Sequence, residues 1–275
     1  MHGLGNDFVI IDGRADGFVP DRNFCLAVAD RRRGIGCDQL IILEKPKNPA
    51  ATLFMRIYNR DASEAGACGN ATRCVGRLLF DETGRNKVVI ETVSGLLTVF
   101  EDGPGMIAVD YGPPKLEWSD IPLAKKMDTL HVPLSLGPLS DACCVSMGNP
   151  HAVFFVEDAD KILLPEIGPK LETDPLFPER ANIEVAQILA PDRIRMRVWE
   201  RGAGVTEACG SGACATLVAA ARRKFSARRA AIVMDGGDSI VEWREDNHVL
   251  LIGPTALAFR GTLDDGLFAG MRRAS

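Results

Sequence analysis

The chain has 275 residues, 46% hydrophobic and 25% charged, with 32 Lys and Arg against 37 Asp and Glu for a formal net charge of −5. This composition excludes a disordered chain, a collagen-like fibre and a coiled coil, and the length allows one large domain or two moderate ones. The basic footprint of a nucleic-acid binder is missing and no apolar run reaches the roughly 18 residues of a membrane span, so neither nucleic acid nor membrane is an expected partner.

In chain order, β-branched or aromatic runs bounded by Gly, Pro, Asn or Asp predict strands at Phe8–Ile11, Leu40–Leu43, Leu53–Tyr58, Val88–Thr92, Leu96–Phe100 and Ile107–Val109. Further strands are expected at Val153–Val156, Ile194–Trp199, Ala231–Met234, Ser239–Trp243 and Val249–Ile252. Helical spacing falls at Arg22–Arg32, Asn70–Glu82, Ala159–Leu164 and Gly212–Lys224. Strands outnumber helices, which points to an α+β fold with largely antiparallel sheets. Tyr111-Gly112-Pro113-Pro114 is the best mid-chain boundary, since consecutive prolines continue neither kind of element. The basic run Arg31 to Arg33 reads as a solvated face or helix end.

The eight Cys are far below the density of a disulfide scaffold. Met1 leads into a polar Gly-Asn-Asp segment rather than a signal sequence, so the expected compartment is the cytoplasm, where these thiols stay reduced. Each Cys is then core filler, metal ligand or catalyst, and Cys25, Cys37, Cys143 and Cys144 read as core.

The chain repeats itself. Met55-Arg56-Ile57-Tyr58-Asn59-Arg60 aligns without a gap on Met196-Arg197-Val198-Trp199-Glu200-Arg201, and the same offset carries Ala67-Cys68-Gly69 onto Ala208-Cys209-Gly210. Gly5-Asn6-Asp7 before one strand likewise matches Gly148-Asn149-Pro150 before another. Two copies of one unit are therefore expected, and a pseudo-twofold arrangement would bring Cys68 and Cys209 to one cleft.

Both thiols precede a helical pattern, in Cys68-Gly69-Asn70 and Cys209-Gly210-Ser211-Gly212. A helix N-terminus offers free N–H groups and the positive end of the dipole, which bind an anion and lower a thiol's pKa from about 8.5. Inverting an α-carbon needs a base on one face, an acid on the other, and stabilisation of the carbanion through its carboxylate. A thiolate and a thiol fit that demand and require no cofactor. No phosphate loop is paired with a candidate Schiff-base Lys, so pyridoxal chemistry has no support. Asn6, Asn59, Asn149 and Asn182 fall in turns or strand ends, Arg201 suits a bidentate grip on a distal carboxylate, and His151 and Glu200 are placed to tune the thiols by charge. Rival readings are a zinc site of Cys68, Cys74, Cys209 and Cys214, and a Cys nucleophile with His151 as its base.

Six motifs in order resemble diaminopimelate epimerase: the Met1–Phe8 segment, Gly34-Ile35-Gly36-Cys37-Asp38-Gln39, Asn59–Glu64 with Cys68-Gly69-Asn70, Met147–His151, Glu179–Asn182, and Glu200-Arg201-Gly202 with Ala208–Ala215. Cys37 and Ala71 depart from the family's usual Ala and Gly. The resemblance implies two pseudo-symmetric domains, each a β-sheet wrapped around a central helix, with a first half at 1–112 completed by 256–275 and a second at 113–255. It also implies a homodimer and cofactor-independent interconversion of LL- and meso-2,6-diaminopimelate on the route to lysine and peptidoglycan. By motif, Cys68 and Cys209 match the acid–base pair, Gly69-Asn70 and Gly210-Ser211 the loops that hold the reacting carboxylate, and Asn6, Gln39, Asn59, Asn149, Asn182, Glu200 and Arg201 the substrate contacts. His151 and Glu200 match the groups that modulate the thiols. Phe259 is an expected interface residue. The nearest rival within the fold is a proline or hydroxyproline racemase, whose substrate needs no distal carboxylate clamp.

Overall fold

The computed structural model describes residues 1–268, so the last seven residues of the expected return segment 256–275 lie outside the described ones. Two compact units organise the chain, one of Met1–Val109 with Pro254 onward and one of Asp110–Gly253.

In unit 1 the elements run β1 (His2–Gly3), β2 (Asn6–Asp12), α1 (Arg22–Ala29), β3 (Gln39–Glu44), β4 (Leu53–Asn59), β5 (Glu64–Ala65), α2 (Gly69–Thr83), β6 (Lys87–Thr92), β7 (Gly95–Glu101) and β8 (Met106–Asp110). In unit 2 they run β9 (Cys143–Ser146), β10 (Pro150–Phe155), α3 (Leu164–Glu172), β11 (Asn182–Ala190), β12 (Arg193–Glu200), β13 (Gly204–Thr206), α4 (Gly210–Arg222), β14 (Arg229–Met234), β15 (Gly237–Trp243) and β16 (Val249–Pro254).

The strand order is β1-β2-β3-β4-β6-β7-β8 in the first unit and β9-β10-β11-β12-β14-β15-β16 in the second, the same path taken twice. Even the exceptions repeat. β2 runs parallel to β3 and β4 to β6, as β10 does to β11 and β12 to β14, while the other described pairings are antiparallel. The registers correspond too, with Phe8 opposite Gln39 and His151 opposite Asn182. The sequence repeat is thus a repeat of a whole α+β unit.

The central helix of each unit is buried along its inner stripe. In α2 every residue from Gly69 to Gly76 is buried, and the helix packs on β6 and β7. Gly76 permits the approach, since a Cβ there would lie 2.5 Å from Val99 Cγ1. In α4 every residue from Gly212 to Ala220 is buried against the surrounding strands. Small residues dominate that stretch, so α4 sits deep in its sheet. No described helix is long and apolar enough to cross a membrane.

Two expectations need correction. The helix expected at Ala159–Leu164 lies instead at Leu164–Glu172, where Pro165 occupies the first turn and its missing N–H costs nothing. Strands β9 and β11, and the short β1, β5 and β13, have no counterpart among the expected strands. β11 is a central strand, but Glu184 and Gln187 interrupt its apolar run and hide it from pattern reading.

Candidate active site

In unit 1 the turn before β2 is made by Gly5 at φ +82°, which releases the chain into the strand at Asn6. Asn6 Oδ1 accepts from Asn70 Nδ2 at 3.3 Å and from the Cys68 thiol at 3.8 Å, while its Nδ2 donates to Asp38 Oδ2 at 3.0 Å. Arg31 locks this corner by donating to Asp7 Oδ1 and Oδ2 and to Asp38 Oδ1 at 2.7 to 2.9 Å, which is more than a solvated face. Cys68 is the N-cap of α2 with extended backbone, and its carbonyl takes the Thr72 N–H at 2.9 Å. Beneath it the fully buried Arg73 donates from Nη2 to Asn70 Oδ1 at 2.8 Å. Gln39 and Asn59 are register partners across β3 and β4, joined from Nε2 to Oδ1 at 3.0 Å.

Unit 2 builds the matched corner from different side chains. Gly148, at φ +97°, makes the turn before β10. Cys209 is the N-cap of α4, and its sulfur accepts the Gly212 N–H at 3.3 Å and lies 3.6 Å from Ser211 Oγ. Asn149 Nδ2 donates to Ser211 Oγ at 3.3 Å, and its Oδ1 meets His151 Nε2 at 2.9 Å. His151 Nδ1 in turn meets Glu184 Oε1 at 2.6 Å, both residues being fully buried. Glu200 takes a hydrogen bond from the Thr206 hydroxyl.

Asn182 donates to the Pro150 carbonyl at 2.9 Å and accepts the Arg201 N–H at 2.9 Å, tying β10 to the end of β12. The exposed Arg201 guanidinium donates to the Glu179 carbonyl at 2.9 Å and makes no ion pair among the described residues, so its charge is available to an anion.

Burial overrules the helix end at Cys209. Loss of water pushes its thiol well above the ordinary value, the Glu200 carboxylate pushes it further the same way, and the Ser211 hydroxyl and Gly212 N–H oppose them. The lowered pKa expected from position alone does not hold for this sulfur. Burial likewise raises Glu200. Cys37 and Cys74 are pushed up to about 11 and about 12 by desolvation, which leaves them as inert core thiols.

Each unit therefore gathers its own predicted residues around a Cys at a helix N-cap: Asn6, Cys68, Gly69 and Asn70 in one, and Asn149, His151, Glu200, Cys209, Gly210 and Ser211 in the other. Asp38, Arg73, Glu172 and Glu184 had drawn no functional reading. Glu172 holds the turn after β12 by accepting from Trp199 Nε1 at 2.6 Å and Gly202 N at 3.0 Å. Strand alternation from Asn182, or helical spacing from Asn70, was the available signal for Glu184 and Arg73.

The family model for diaminopimelate epimerase matches residues 1–117 and 143–257. The chain belongs to the diaminopimelate epimerase family. The diaminopimelate epimerase of Rhodospirillum centenum is 59% identical over 98% of this chain and 93% of its own length, and that of Acidiphilium cryptum is 56% identical over 98% and 96%. Among solved structures, a Bacillus anthracis phenazine biosynthesis protein aligns at TM-score 0.64 and 16% identity over 92% of both chains. An Agrobacterium vitis hydroxyproline epimerase aligns at TM-score 0.64 and 14% identity over 92% of this chain and 86% of that one. At such identities the likeness to these two shows a shared fold.

Proposed function

We propose that this chain interconverts LL- and meso-2,6-diaminopimelate without a cofactor, with Cys68 and Cys209 as its two acid–base groups. The observation that carries the reading is the matched pair of thiols, each capping the buried central helix of its unit. One thiolate takes the α-proton, the electron pair of the broken C–H bond spreads into the carboxylate, and the other thiol delivers its proton to the opposite face. The first thiolate ends as a thiol and the second as a thiolate, so the reverse reaction uses the same groups in exchanged roles. N–H groups of the first helical turns, at Gly69-Asn70 and Gly210-Ser211, suit the charge that develops on the carboxylate.

Arg201 takes the distal carboxylate, which sets this substrate apart from a single-carboxylate imino acid. Asn6, Gln39, Asn59, Asn149 and Asn182 hold the ammonium and carboxylate groups, and His151 and Glu200 adjust the thiols. The reading includes a cytoplasmic homodimer, supported by the exposed Phe259 (65%) and Leu257 (48%) on the returning segment. Sizing by light scattering tests that association.

The activity is tested by incubating the reduced protein with LL-diaminopimelate in deuterated water and following the α-position by NMR, with proline as control. Deuterium entering together with meso product supports the reading. Exchange on proline alone overturns it.

A further inference from the structure

The two units share a fold but not the pair of side chains buried behind the thiol. Because Phe8 opposite Gln39 corresponds to His151 opposite Asn182, the counterparts of His151 and Glu184 are Phe8 and Ile41. Both counterparts are buried and apolar. One unit therefore keeps two ionisable groups in its core where the other shows that the same strands pack well without them. Such a pair is costly to bury, and an apolar replacement is often at least as stable, so its presence at this position asks for a functional reason.

Hydrogen-bond bookkeeping gives one. Asn149 Nδ2 donates to Ser211, which leaves its Oδ1 to accept from His151 Nε2, so that nitrogen carries a hydrogen. His151 Nδ1 and Glu184 Oε1 then have one proton to share across 2.6 Å. The pair is neutral overall whichever atom holds it. Glu184 Oε2 is buried with no hydrogen-bond partner, a cost that a full unshared carboxylate charge would raise. With its oxygen already accepting from Asn149, Ser211 has its own hydrogen left for the Cys209 sulfur 3.6 Å away. Gly212 makes this closeness possible, since a Cβ there would stand 2.9 Å from Glu184 Oε1 and 3.2 Å from the sulfur.

We propose that Glu184 is a positioning residue of this site: by sharing one proton with His151 it fixes the direction of the hydrogen bonds through Asn149 and Ser211, so that the Ser211 hydroxyl donates to the sulfur of Cys209. This donor favours the thiolate of an otherwise disfavoured sulfur, and in unit 1 the register positions of His151 and Glu184 hold Phe8 and Ile41. The inference rests on reading Cys209 as one of the two acid–base groups. Among the described residues, the ionisable groups facing that sulfur's corner are Glu200 from β12, Glu184 from β11, His151 from β10, and Tyr111, whose hydroxyl lies 2.8 Å from where a Gly210 Cβ would be.

The test reads Cys209 itself, in the full-length reduced protein. The rate of alkylation of Cys209 by iodoacetamide is followed across pH by peptide mass spectrometry, with Cys68 in the same digest as reference. Ser211→Ala removes the donor and is expected to raise the Cys209 midpoint by about one pH unit, as loss of a hydrogen bond to a charged group does. Glu184→Gln, whose amide donates to Nδ1 and leaves Nε2–H in place, is expected to leave the midpoint where it was. His151→Phe with Glu184→Ile, which installs the pair of unit 1, is expected to raise it, and Ser211→Ala in that background adds nothing further.

A midpoint that falls in Glu184→Gln overturns the proposal, because it identifies Glu184 as a plain negative charge with the hydrogen bonds running the other way. So does an unmoved midpoint in Ser211→Ala. If the double variant fails to fold, Glu184→Leu, which cannot share a proton with His151, is expected to raise the midpoint as Ser211→Ala does, and an unmoved midpoint there overturns the proposal. No substrate is involved, so a failure here is separate from a failure of diaminopimelate turnover.

Discussion

Units 1 and 2 reach the same backbone corner and furnish it oppositely. Beneath Cys68 lies a buried guanidinium, Arg73, and the register positions that hold His151 and Glu184 in unit 2 hold the apolar Phe8 and Ile41, whereas around Cys209 stand His151, Glu184 and Glu200. At the helix start Ala71 holds the repeat position of Gly212, and Ile41 is the register counterpart of the Glu184 that a Cβ at Gly212 would meet. The two units keep the same path of the chain, while their side chains differ around the two thiols. Two thiols with equivalent positions thus have opposite surroundings, which on the proposed two-base reading sets apart the group that starts as the base from the one that starts as the acid.

The largest effect tests the equivalence itself. Cys68→Ser and Cys209→Ser are each expected to lower kcat for epimerisation by about 10²- to 10⁴-fold, the range of a lost general acid or base, and full turnover by either would end the two-base reading.

Next comes a deliberate asymmetry. Arg201 corresponds to Arg60 in the repeat, so Arg201→Ala is expected to lower kcat/KM on diaminopimelate by about 10- to 100-fold through a lost charge-assisted grip, while Arg60→Ala leaves it close to wild type. Steady-state kinetics of the two variants side by side decide it.

A smaller contrast concerns packing. Gly212→Ala forces a methyl against Glu184 and the Cys209 sulfur and is expected to cost about 1–3 kcal/mol, whereas Ala71→Gly costs only helix propensity, about 1 kcal/mol. Urea unfolding of both variants gives the comparison.

The smallest is a pH dependence. Burial raises Glu200 above the usual carboxylate value in the folded state, so the native protein holds its proton more tightly than the unfolded chain does. Its stability contribution is present below the unfolded carboxylate pKa and declines as pH rises toward the folded one. Glu200→Gln should therefore gain stability relative to wild type across that rise, and a gap constant with pH would contradict this.

Much of this was legible in the chain. Periodicity located α2, α4 and most strands, and the internal repeat announced the duplicated α+β unit with Cys68 and Cys209 in matched places, because local pattern and turn chemistry survive in one dimension. What escaped did so for identifiable reasons. β11 carries a buried carboxylate inside a central strand, which alternation rules count against a strand. Pro165 suited a helix start that the apolar pattern placed one turn too early. Arg31 looked like a solvated charge until Asp7 and Asp38 came beside it across the strand turn.

The sequence by itself determined the family, the repeated unit and the two thiols at helix starts, all of which depend on residue order over short spans. Only the tertiary structure decided how those thiols are tuned. It took strand pairing to set Glu184 against His151 and a glycine to let α4 approach them. Burial then outweighed the helix dipole at Cys209, because desolvation depends on everything that packs around the sulfur, and no short span of residues contains that.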